Sequence, residues 1–137
     1  MTLTNRATAE DGGVTIPELW EGMTHRTPKP LPHHRLIAYS VAVRLLVAVR
    51  EARVRDRHLR DQALRAAKSA CLNIAEAAGR VAGPDRARAF AIARGEAVEA
   101  VAAIEIAAIA GDTEQAHADR CVLLADEVVA MLTALTR

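Results

Sequence analysis

The chain has 137 residues, 51% of them apolar and 26% charged, with a formal net charge of +1. That length and apolar content suit one domain, excluding two ordinary enzyme domains and disorder over most of the chain. Thirty alanines against one Phe, one Trp and one Tyr disfavour sheets and favour helices packed closely on small side chains.

In chain order, residues 1–32 read as an irregular N-terminal extension ending in a proline-rich linker. Residues 1–13 are polar and turn-rich, and Thr27-Pro28-Lys29-Pro30-Leu31-Pro32 is expected to be extended. Between them an apolar patch over residues 14–20 carries the only tryptophan, Trp20. It is expected to fold back on the body or stay disordered rather than to dock a partner. The chain does not open with a basic, apolar, small-residue signal pattern, so a cytoplasmic location is expected.

Residues 33–137 read as four helices. The first spans about 33–54, with Leu36, Tyr39, Val43, Leu46 and Val47 recurring at three and four. The second spans about 57–80 with a stripe of Leu59, Ala63, Ala66, Ala70, Asn73 and Ala77, and Gly79 weakens its end. Gly83-Pro84 is a stop and restart, since proline suits a first helical position. The third helix spans about 84–110, with Phe90, Ala97, Val101, Ile104 and Ala108 on one face, and Gly111 ends it. Asp112-Thr113-Glu114-Gln115 has capping-box spacing and opens the fourth, about 113–136, with Cys121, Leu124, Val128, Met131 and Leu135 inward. Short connections make successive helices antiparallel neighbours. The fold expected is all-α, an up-down-up-down four-helix bundle. The most apolar stretch, residues 97–110, is broken by Glu99 and Glu105, so no membrane span is expected.

The charge is unevenly spread. Residues 35–94 carry thirteen Lys or Arg against five Asp or Glu, whereas residues 95–137 carry two against eight. Sixteen of the eighteen basic residues are arginine, which favours planar anions. Three uses compete: contact with nucleic-acid phosphates, neutralisation of one half by the other within or between subunits, and plain solvated faces. The candidate nucleic-acid surface is Arg50, Arg53, Arg55, Arg57, Arg60, Arg65 and Lys68, around the first interhelical turn. It lacks aromatic residues for stacking, which restricts it to backbone contact. Arg80, Arg86, Arg88 and Arg94 gather at the next junction, at the opposite end of the bundle.

No constellation for catalysis emerges. A di-metal carboxylate centre needs two Glu-x-x-His motifs and two further glutamates, and the chain has one such motif, Glu114-Gln115-Ala116-His117. His33, His34 and His58 are expected to be exposed. Cys71 and Cys121 fall on apolar stripes and read as small buried thiols. No phosphate-binding glycine loop is present, and no metal or cofactor is expected. Asn73 and Glu76, one turn apart, are either a polar pair facing a pore or ligand, or structural. In the structural reading Asn73 bonds across helices and Glu76 pairs with Arg80. Gly95 inside the third helix costs about 1 kcal/mol against alanine, a cost that a close helix approach would offset.

Two segments carry a family resemblance. Gln62-Ala63-Leu64-Arg65-Ala66-Ala67-Lys68-Ser69 followed by Asn73-Ile74-Ala75-Glu76-Ala77-Ala78-Gly79-Arg80 resembles the Q-L-x-R-A-A-x-S-x-x-x-N-I-A-E-G-x-G-R signature of the bacterial four-helix bundle proteins encoded by intervening sequences in 23S rRNA genes. Residues 90–99, from Phe90 through Gly95 to Glu99, are similar to that family's F-x-x-A-x-G-S-x-x-E segment. Ala77 and Glu96 depart from it, standing where the family has Gly and Ser. The resemblance covers about residues 35–137. It implies a small helical protein assembling into a ring, often a pentamer. Through a distant relation to the accessory protein of diversity-generating retroelements, it also implies a link to reverse transcriptase and nucleic acid. The expectation for function is a non-enzymatic, oligomer-forming scaffold or adaptor. A nucleic-acid-binding accessory factor is the alternative, and a metal-dependent bundle enzyme the remote one.

Overall fold

The computed structural model describes residues 8–9, 14–15, 29–81 and 83–137. Within the extension, β1 (Thr8–Ala9) and β2 (Val14–Thr15) form a two-residue antiparallel ladder pairing Thr8 with Thr15 and Ala9 with Val14. This ladder pairs the extension with itself, and residues 16–20 of the segment expected to fold back on the body, including Trp20, lie outside the described residues. A 3-10 turn, Pro32–Arg35, leads into four helices: α1 (Ile37–Glu51), α2 (Arg57–Gly79), α3 (Pro84–Ile109) and α4 (Gln115–Leu135). Each packs on its neighbours in the order α1–α2–α3–α4–α1, and the α2–α3 interface is the most extensive. This is the expected antiparallel four-helix bundle.

Local chemistry sets each boundary. Asp56 caps α2, its carboxylate accepting from the Leu59 N–H at 2.9 Å. Gly83 precedes Pro84 at φ 102°, ψ −171°, a conformation essentially confined to glycine, so the chain reverses there without strain. At the end of α3, Gly111 takes φ 82°. Its N–H bonds the Ala108 carbonyl at 3.1 Å while the Asp112 N–H bonds that of Ala107 at 2.7 Å, a complete Schellman closure.

Three expectations need correction. The first helix starts at Ile37 rather than near 33, because Pro32 and the residues after it close into the 3-10 turn. The face it buries is Ala38, Val41, Ala42, Leu45, Ala48 and Val49. The expected stripe of Leu36, Tyr39, Val43, Leu46 and Val47 is only half-buried on its flank, since apolar residues nearly encircle this helix and blur its period. The capping box at 112–115 does not form either. Glu114 takes the cap position without a side-chain bond, and Thr113 is buried instead, its hydroxyl donating to the Ala52 carbonyl at 2.6 Å. That bond ties the α1–α2 turn to the α3–α4 turn.

Seventeen of the 29 buried apolar residues among those described are alanine. Small side chains let helix axes approach to about 8 Å, so alanine contributes by bringing backbones together rather than by its own area. The larger anchors are few: Phe90, Leu45, Ile74, Ile104 and Leu132 are all but fully buried. Cys71 and Cys121 are buried free thiols, each pushed up to about 11 chiefly by desolvation. At about pH 8 both are therefore neutral and inaccessible, and the native protein is expected to resist iodoacetamide, reacting rapidly only when unfolded. Mass spectrometry of timed samples reads this directly, and fast native labelling would contradict their burial.

Candidate functional site

The α1–α2 turn gathers most of the predicted basic surface. Arg50 lies in the last turn of α1, and Ala52 caps that helix. Arg53 follows at φ 44°, in the left-handed region that glycine usually fills after a helix cap. An arginine there costs on the order of 1 kcal/mol against glycine. Val54 then turns inward and is buried. The Arg55 backbone N–H bonds the Asp112 carbonyl at 2.9 Å while its guanidinium donates to the Gly111 carbonyl. Arg60 reaches back to the Val54 carbonyl at 3.2 Å. Arg50, Arg53, Arg55 and Arg60 thus line one open cleft of about 460 Å³, floored by Val49, Val54 and Leu64.

The structure separates the other three from this group. Arg57 pairs with Asp61 at 3.8 Å on an exposed helix face, which is worth little. Arg65 is committed to α3, with Glu99 at 2.6 Å and Glu96 at 3.5 Å, and also donates to Gln62. It is a clamp between helices, which removes it from the predicted surface. Lys68 is exposed in an adjoining shallow cleft with Leu72 and Asn73. At the opposite end Arg80 is held by Glu76 at 2.6 Å, Arg86 lies 5.6 Å over the Phe90 ring, and Arg94 donates to Thr133 at 2.8 Å. The charge asymmetry is partly cancelled inside one protomer, through Arg65 with Glu96 and Glu99, whereas Arg120 with Glu51 at 3.7 Å pairs the minority charges of the two halves.

Of the packing motif, Phe90 is 1% exposed and central to the core, and the Glu76–Arg80 pair forms as expected. Asn73 does not bond across helices. Its amide donates to the Ser69 carbonyl at 2.9 Å and hydroxyl at 3.1 Å, within its own helix. Gly79 ends α2, exposed. Gly95 is also exposed, and a Cβ at this position would meet nothing within 4 Å, so none of the four described helices approaches it closely.

Gly95 belongs instead to a surface that sequence reasoning missed. Besides its buried face, α3 carries an outward one of Ala91, Gly95, Val98, Ala102, Ile106 and Ile109, recurring at three and four. Val98 is 44%, Ile106 52% and Ile109 85% exposed. A helix apolar on both faces is one that expects burial on both. The signal is present in the sequence, since residues 97–110 form a helical stretch whose only charges are Glu99 and Glu105. Among the described residues, no helix is long and apolar enough to cross a membrane, and no three His, Cys, Asp or Glu side chains gather as a metal-binding group.

Fold and surface together define, among the described residues, an alanine-packed antiparallel four-helix bundle with an exposed apolar face along α3 and an arginine-lined turn. The chain belongs to the 23S rRNA-intervening sequence protein family, matching it over residues 34–134. No curated relative matches the chain.

Proposed function

We propose that this chain is a non-enzymatic, self-assembling bundle that serves as a scaffold, its copies closing into a ring. The observation that carries this reading is the outward apolar face of α3, whose Val98, Ile106 and Ile109 are left exposed by the described residues. Exposing such a stripe is unfavourable, and a second copy is the partner always present at matching concentration. A ring needs two unlike faces, and the outer face of α4 supplies the second, with Leu123 73% and Val122 40% exposed between Asp119 and Asp126. Light scattering at micromolar concentration is expected to show an oligomer whose mass persists at high salt, because the contact is apolar. A monomer under those conditions overturns the scaffold.

A nucleic-acid-binding accessory role is the second reading, favoured by the four cleft arginines that no carboxylate of the described residues neutralises. Absorbance at 260 nm across the same light-scattering peak, lost at high salt, would favour it.

A further inference from the structure

We infer that the α1–α2 turn is a seat for a phosphate group, held by Arg50, Arg53 and Arg60 beside a wall formed by Arg55. This deepens the second reading and stands apart from the scaffold, since a lone protomer carries the whole seat.

The first support is charge left over after local pairing. The acids nearest in sequence are engaged elsewhere: Glu51 with Arg120 at 3.7 Å, Asp56 on the Leu59 N–H at 2.9 Å, and Asp61 with Arg57 at 3.8 Å. Among the described residues, none of the four cleft arginines has a carboxylate within 4.0 Å. Four like charges around one cleft of about 460 Å³ repel, and a multivalent anion relieves that repulsion.

The second support is preorganisation. The Arg55 guanidinium is anchored on the Gly111 carbonyl, and that of Arg60 on the Val54 carbonyl at 3.2 Å. Each carbonyl takes one of a guanidinium's five N–H groups, and the others remain for a ligand. The third support is Arg53 itself. Its φ of 44° is one that glycine adopts freely, yet this position lining the cleft carries an arginine.

The chemistry selects phosphate over carboxylate. Guanidinium forks match the paired free oxygens of phosphate bidentately, and successive phosphates, one charge each along a diester backbone or several in a polyphosphate, compensate the cluster where a single carboxylate leaves most of its charge unmatched. The lining holds no aromatic ring, so bases are not stacked and recognition is of the phosphate alone. Nucleic-acid backbone and free polyphosphate share this group.

The test is fluorescence anisotropy of a labelled mixed-sequence single-stranded RNA at several salt concentrations, with tripolyphosphate as competitor and as a direct ligand by calorimetry. The full-length protein is compared with Arg53→Gly combined with Arg50→Gln, and with Arg88→Gln at the far end of the bundle. Arg53→Gly relaxes its backbone, so the double variant is expected to melt no lower than the parent. RNA affinity is expected to fall about tenfold or more, with the slope of log affinity against log salt flattening by about 1.4 for two lost contacts. Arg88→Gln should change neither. Tripolyphosphate binding without RNA binding, lost in the double variant, also supports the seat and assigns it to free phosphate. RNA binding that the double variant leaves intact overturns the seat while sparing the accessory reading. Absence of binding to either ligand at low salt overturns both.

Discussion

Phe90→Ala is expected to lower the melting temperature by about 15 °C, the largest effect of any single truncation in this bundle. Phe90 is the bulkiest fully buried side chain, sitting in a core otherwise built mostly from alanine. Truncating a buried phenylalanine costs about 3–5 kcal/mol, and the cost depends on how far the surroundings collapse into the hole. Alanines have no rotamers with which to refill the space, which places this site at about 4 kcal/mol rather than at the lower end. The Arg86 guanidinium 5.6 Å above the ring loses its partner as well. A domain of this size shifts by about 4 °C per kcal/mol, which converts the loss to the stated shift. Thermal unfolding followed by circular dichroism measures it. A change under 5 °C (about 1 kcal/mol) would mean that α3 does not insert this ring into the core.

The helices were legible because punctuation and periodicity agreed. Gly83-Pro84 and Gly111 mark real boundaries, and both glycines adopt positive φ. The errors arise where the sequence is locally ambiguous. Capping-box spacing at 112–115 competes with a tertiary use of Thr113, whose hydroxyl bonds Ala52, sixty-one residues away. Nothing in a local window reveals that preference. Helix α1 is apolar on most of its circumference, so choosing its buried face requires knowing where α2 and α4 lie. The arginine cluster was visible as composition, but its useful members were not. Arg65 is removed from it by Glu96 and Glu99, thirty-one and thirty-four residues away. Arg53 is distinguished by a backbone angle that no residue pattern announces. The sequence also marked Gly95 as a close-approach site. The protomer shows open space there, which moves the question from packing within the chain to packing between chains.

That question has a test with opposite signs on two readouts. Val98→Glu combined with Ile109→Lys is expected to convert the assembly to monomers, while the isolated protomer melts within a few degrees of the parent. Both side chains lie on the outward face of α3, and Ile109 is 85% exposed, so the core loses little. Two unpaired charges forced into an apolar interface cost about 2–5 kcal/mol, which weakens association by about thirtyfold or more. Gly95→Ala sharpens the distinction. Its Cβ meets nothing within 4 Å in the protomer, so the substitution should stabilise the monomeric fold by about 0.5–1 kcal/mol through helix propensity. If the proposed contact brings a neighbouring copy's helix close to Gly95, the same methyl group should weaken assembly. Sedimentation velocity on the Gly95→Ala protein and its thermal melt separate the two effects. If assembly is unchanged in both variants, α3 is not the contact face and the scaffold must close through another surface. If assembly weakens as the fold grows more stable, the glycine's cost is explained by the interface it permits.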